Sequence, residues 1–145
     1  MSVENVALIN RWFEQVWNKG NQSAVDEMFA PNAVAHGCGE YDTPITGPAE
    51  FKKFVATLRG AFPDINIKVV ETVCEGNKIA ARFDVNMTHT GSSLGIPPTN
   101  KKVHVGGLLI AEIKDGQIAG GFNTWDQLGM MQQIGAIGTP AKPLK

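Results

Sequence analysis

The sequence predicts an α+β domain in which helices cover one face of an antiparallel sheet. Three observations carry that reading. Apolar residues recur at helical spacing through the first 62 positions, the apolar period drops to two from residue 65, and two hairpin signals, Glu75-Gly76-Asn77-Lys78 and Lys114-Asp115-Gly116-Gln117, fold the second half back on itself.

Residues 3–19 place Val6, Ile9, Phe13, Val16 and Trp17 three or four apart with Trp12 beside them, a helical stripe that Ser2 is placed to cap and Gly20 ends. Asn21 can cap a shorter helix reaching residue 29, whose apolar side is Val25, Met28 and Phe29, before Pro31-Asn32 interrupts it. Residues 33–38 read as a short strand and 39–47 as a loop. Pro48 suits a first helical position because its missing N–H has no partner there, and Glu50 lies where the helix dipole favours an acid. This third helix runs to about residue 62 and buries Phe51, Phe54, Val55, Leu58 and Phe62, with Pro63-Asp64 as its stop.

Ile65, Ile67 and Val69 then alternate with polar neighbours, and Ile79, Ala81, Phe83, Val85 and Met87 alternate on the return. With Gly76 and Asn77 as the turn, Glu71 falls opposite Arg82, a cross-strand ion pair that supports the register. The loop 91–100 contains Gly95-Ile96-Pro97-Pro98, which no central strand accommodates. Residues 101–113 and 118–125 form the second hairpin. Leu128, Met131 and Ile134 mark a short terminal helix, and 138–145 reads as a tail behind a single domain over 1–137. Glycines at 106, 107, 120 and 121 fit bends in a strongly curved sheet whose concave side, roofed by helices, encloses a pocket.

Thirteen Lys plus Arg against fourteen Asp plus Glu give a net charge of −1, and the only basic runs are Lys52-Lys53 and Lys101-Lys102. Nucleic-acid binding by clustered cations is therefore not expected. Cys38 and Cys74 match neither a disulfide framework nor a metal or redox motif and read as reduced thiols. No 18-residue apolar stretch occurs, so no membrane span is expected and a cytoplasmic location is.

The sequence carries no phosphate loop in its proper context, no His-Glu-x-x-His and no Gly-x-Ser-x-Gly. His36, His89 and His104 are too widely spaced to argue for a metal, and none is expected. His89 shares the parity of Phe83, Val85 and Met87, which puts its ring on an apolar face where it either supports charge on a ligand oxygen or is satisfied by backbone. With Asp115 and Gly116 as the second turn, Phe122 faces Leu109 and Asp126 faces Val105, so Asp126 shares the apolar face of Ile118 and Phe122. A carboxylate in such surroundings can trade a proton as a general acid or base. The competing role is helix capping, with Asp126 accepting the N–H of Leu128 or Gly129.

Taken together, Asn18-x-Gly20-Asn21, Asn32-Ala33-Val34-x-His36, Leu58-Arg59-Gly60-Ala61-Phe62-Pro63-Asp64, Thr88-His89-Thr90-Gly91, Gly95-Ile96-Pro97-Pro98-Thr99 and the ending Asp126-x-x-Gly129-Met130-x-x-Gln133-Ile134-Gly135 resemble the SnoaL-like polyketide cyclase (ester cyclase) family over about residues 6–137. The resemblance implies a cone-shaped α+β barrel of the nuclear-transport-factor-two-like type, a strongly curved antiparallel sheet with helices over its concave face, assembled as a homodimer or homotetramer. It also implies intramolecular aldol closure of a polyketide ester, with neither metal nor organic cofactor. Asp126 matches the acid/base Asp of the family's terminal motif, His89 becomes a second polar pocket group, and His36 faces the cavity. The expected walls for an apolar or aromatic substrate are Phe54, Leu58, Met87, Val105, Leu109, Phe122 and Met131. Gly120 and Phe122 stand where the family commonly reads Glu and Trp ahead of Asp126, so this site has one acid fewer. A related isomerase or epoxide hydrolase, or a non-catalytic binder of apolar small molecules, are the alternatives.

Overall fold

The structure, a computed structural model, describes residues 2–39 and 43–138; most of the expected tail lies outside the described residues. Helix α1 (Ser2–Trp12) passes directly into a π-helical stretch, Phe13–Asn18, and is followed by α2 (Gln22–Met28), β1 (Phe29–His36), β2 (Ile45–Thr46), α3 (Gly47–Ala61), β3 (Asn66–Glu75), β4 (Lys78–Thr88), β5 (Lys102–Lys114), β6 (Gln117–Trp125) and α4 (Gln127–Gln133). The widened turn brings Phe13, Val16 and Trp17 together as buried residues. Its end is pinned by Asn18, whose side-chain amide takes the N–H of Ile67 at 2.6 Å and gives back a bond to the Ile67 carbonyl at 3.0 Å. Helix α3 begins as its sequence requires: Pro48 occupies the first turn, and the Glu50 carboxylate accepts the Thr46 N–H at 3.0 Å.

Both hairpins form at the expected turns. Glu71 pairs with Arg82 in the β3–β4 register, and their side chains meet at 2.6 Å. Strand β1 starts at Phe29, four residues before the expected strand, because Ala30, Pro31 and Asn32 extend rather than turn.

The fold class needs correction. Among the described residues six strands lie in the order β2-β1-β6-β5-β4-β3, and β1 runs parallel to β6 while the other neighbours are antiparallel. The sheet is therefore mixed and open, with β2 and β3 as unpaired edges, and not the strongly curved antiparallel cone that was expected. The physical reason is a non-local pairing: β1 lies beside a strand some 85 positions later, which neither strand's periodicity encodes.

All helices that contribute to the core lie on the face bearing Ile79, Ala81, Phe83, Val85 and Met87 of β4. Phe13 meets Phe83 at 5.0 Å between ring centres, and Trp12, Phe29 and Phe51 form a mutually packed aromatic group at 5.0–5.6 Å. Among the described residues no helix is long and apolar enough to cross a membrane.

Candidate functional site

One irregularity in β6 decides which side chains face the helices. Ile113 pairs with Ile118, but Glu112 pairs with Gly120, so Ala119 is an extra residue and every later side chain of β6 changes face. Gly120 makes this possible. It sits at φ +154°, and a Cβ there would stand 3.1 Å from the Val34 carbonyl of the adjacent strand. Beyond the bulge Asn123 and Trp125 point inward opposite Leu109 and Gly107, whereas Phe122 points outward opposite Ile110.

The inward face and the helices enclose a chamber. Phe13, Trp17, Phe54 and Leu58 form its helical wall, Phe83, Val85, Met87, Asn123 and Trp125 its sheet wall, and Cys38, Ile65 and Ile67 complete it, around a free volume of about 40 Å³. A second void of about 40 Å³ lies among Trp12, Phe29, Phe51, Leu109, Ala111 and Ile118 and is again bordered by Cys38 and Asn123, so the two meet across these side chains. The segment carrying Cys38 crosses over β6 and is tied down there. Trp125 Nε1 donates to the Cys38 carbonyl at 2.8 Å and Gln127 Nε2 to the Gly39 carbonyl at 3.1 Å. Burial pushes the Cys38 thiol up to about 11, so it keeps its proton at neutral pH and is a poor nucleophile. The Asn123 Oδ1 is shielded from solvent and accepts no hydrogen bond from the described residues.

Of the expected walls, Phe54, Leu58 and Met87 line the first void, and Leu109 and Phe122 border the second. Val105 is buried but borders neither, and Met131 packs half-buried against the core from α4. Phe122 is 66% exposed and stacks on His36, ring centres 4.6 Å apart, on the outer face, so His36 does not face the chamber. Asp126 is exposed at the start of α4, where its Oδ1 accepts the Gly129 N–H at 2.7 Å, which is the capping arrangement. The expectation that it shares an apolar face with Phe122 and Ile118 fails because the bulge separates Ile118 from the residues after it.

His89 is fully buried, packs on Phe62 and lies under the loop 91–100. Its Nδ1 faces the Thr99 hydroxyl at 3.0 Å and the Thr99 N–H at 3.3 Å; a backbone N–H can only donate, so Nδ1 is the acceptor and Nε2 carries the proton. His89 therefore organises the loop and does not border either void. Among the described residues no three His, Cys, Asp or Glu side chains gather into a metal-binding cluster.

The family model for SnoaL-like polyketide cyclases matches residues 7–134. The chain belongs to this family. Solved structures agree in fold: a Jannaschia sp. CCS1 protein named for the SnoaL-like polyketide cyclases superposes with a TM-score of 0.83 at 23% identity, over 93% of this chain and 94% of that one. IdmH from Streptomyces antibioticus, named for polyketide cyclases, gives 0.79 at 26% identity over 90% and 97%. AclR from Streptomyces galilaeus, named for hydroxylases, gives 0.83 at 22% identity over 97% and 86%. A search of curated proteins found no match. Relatives named for different reactions share this backbone, so the reaction has to be argued from the chamber.

The residues that sequence reasoning missed are Asn123, Cys38 and Trp125. The adjacent Gly120-Gly121 was the available signal, since glycine inside a strand often marks a bulge and a bulge inverts the parity after it.

Proposed function

We propose that this SnoaL-like protein takes an apolar, ring-forming small molecule of the polyketide-ester type into the chamber beneath α3 and promotes ring closure there by confinement, without a cofactor. The observation that carries the reading is the chamber itself: aromatic and aliphatic walls from five elements converge on one polar amide, Asn123. In an intramolecular aldol step an enol carbon attacks a carbonyl carbon, the new C–C bond forms, and the carbonyl oxygen takes up the proton that the enol hydroxyl releases. Holding the two carbons in contact supplies the entropic part of that barrier. A free volume of about 40 Å³ is far below the roughly 300–1,000 Å³ of a drug-sized site, so binding requires the half-buried ring of Phe54 to swing aside.

Hydrolysis of an epoxide is less well supported, because it needs carboxylates that orient water, and no Asp, Glu or His borders the chamber among the described residues. The same observation favours a second reading, binding without turnover. Incubation with a poly-β-keto ester, followed by mass spectrometry and by quenching of Trp17 and Trp125 fluorescence, separates the two: quenching with a cyclised product supports ring closure, quenching alone supports a binder, and no quenching overturns both.

The proposal also assigns the outer face of the sheet to a second copy of the chain. Val73, Ile110 and Phe122 are 68%, 53% and 66% exposed and lie along one row across the sheet, with Leu108 beside them at 50%. From β3 to β1 this row spans five strands, about 19 Å at the usual strand spacing. That is wide enough for the centre of an interface burying roughly 800 Å² per partner. Arg82 with Glu71 and Lys78 with Glu112 border the patch, so its rim carries both signs of charge and does not repel its own copy.

A further inference from the structure

We infer that Asn123 is a specificity-determining residue that selects ligands carrying a hydrogen-bond donor, a phenolic or enolic hydroxyl, at the end that meets β6. The inference rests on the chamber being the ligand site and adds which chemistry it reads. Oδ1 of Asn123 is closed off from solvent and receives no hydrogen bond from the described residues. Two side-chain N–H donors that follow Asn123 in the chain are committed elsewhere: Trp125 Nε1 to the Cys38 carbonyl, and Gln127 Nε2 to the Cys38 and Gly39 carbonyls. These bonds fix the segment that crosses β6. They leave the amide oxygen facing surroundings made of rings and aliphatic side chains.

Asn123 borders both voids, so a ligand entering either one meets this acceptor. A buried acceptor without a partner is costly, and a ligand hydroxyl that satisfies it is favoured over the same skeleton with the hydroxyl capped. The bulge at Ala119-Gly120 is what aims the amide inward; without it Asn123 would lie on the outer face and Phe122 would point into the chamber.

The test uses three probes of one ring size, 1-naphthol, 1-methoxynaphthalene and naphthalene, titrated calorimetrically into the whole protein. The expected result is that the wild type binds the naphthol about tenfold more tightly than its methyl ether, and that Asn123→Leu, similar in size but without polar atoms, brings the two within about twofold. Asn123→Ala serves the same purpose if the leucine variant does not fold. Leu58→Trp, which fills the chamber, abolishes binding of all three. Equal binding of naphthol and ether by the wild type, or discrimination that survives in the Asn123 variants, overturns the inference while leaving the chamber as the ligand site. Failure of every probe to bind, or binding indifferent to Leu58→Trp, overturns the chamber reading and this inference with it.

Discussion

Replacing Asp126 with alanine removes one hydrogen bond, the 2.7 Å bond from the Gly129 N–H at the start of a helix only seven residues long. Loss of an Asp N-cap costs about 1 kcal/mol, within a range of roughly 0.5–2, which for a domain of this size lowers Tm by about 4 °C. Asp126→Asn keeps an oxygen acceptor at the same position and should cost only a few tenths of that. Gly129 makes the argument sharper, because a Cβ built on it would stand 2.2 Å from the Asp126 carboxylate. Gly129→Ala alone therefore displaces the cap, losing about 1 kcal/mol, while gaining about 0.8–1 kcal/mol of helix propensity, for little net change. In the Asp126→Ala background the clash is gone and Gly129→Ala becomes stabilising by about 0.8–1 kcal/mol. A double-mutant cycle by urea denaturation should thus return a coupling of about 1 kcal/mol. Additive effects would refute the capping geometry. An Asp126→Asn variant that loses ring-closing turnover at near wild-type stability would instead assign the carboxylate an acid or base role beside its cap.

Stability should fall with alkali in a way that depends on Cys38. The folded thiol titrates near 11 and the unfolded one near 9, so between these values the unfolded chain has fewer protons, and stability present below pH 9 drains away by about 2–3 kcal/mol towards pH 11. Denaturation of wild type and Cys38→Ala across that window should show the extra slope only in the wild type; parallel curves would contradict burial of the thiol. Gly37→Ala should cost more than about 2 kcal/mol, because the residue sits at φ +77° and its Cβ would fall 1.8 Å from the Asn123 carbonyl oxygen. A wild-type Tm for that variant would argue against the crossing of β6 by this segment. Phe122→Asp should leave monomer stability within about 0.5 kcal/mol, as for other exposed positions, yet shift sedimentation towards the monomer. An unchanged sedimentation profile would remove the outer face as the contact between copies. Arg82→Gln should leave Tm unchanged within error, since both partners of the Arg82–Glu71 pair are well exposed; a clear drop would mean the pair is better shielded than its geometry indicates.

Much of the fold was legible because it is local. Turn residues at 76–77 and 115–116 set two hairpins, the pairing of Glu71 with Arg82 checked one register, Pro48 and Glu50 marked the start of α3, and alternation along β4 named its buried side chains before any contact was known. These features depend on residues a few positions apart, so their signal survives in the linear sequence. Three consequential features do not work that way. The partner of β1 is a strand some 85 positions on, and that parallel pairing makes the sheet mixed. The bulge at Ala119-Gly120 exchanges the inner and outer faces of β6, and its tolerance for an extra residue depends on how closely β1 approaches Gly120. Asp126 read as a cap, with a pocket acid as the rival, until the position of Gly129 fixed its carboxylate. The sequence alone therefore determined the four helices, the two hairpins, the apolar face of β4 and the family, because each is written in short-range pattern. Only the tertiary structure decided that Asn123 and Cys38, and neither Asp126 nor His36, border the chamber, because a single inserted residue inverts strand parity and its effect is expressed only where distant strands meet.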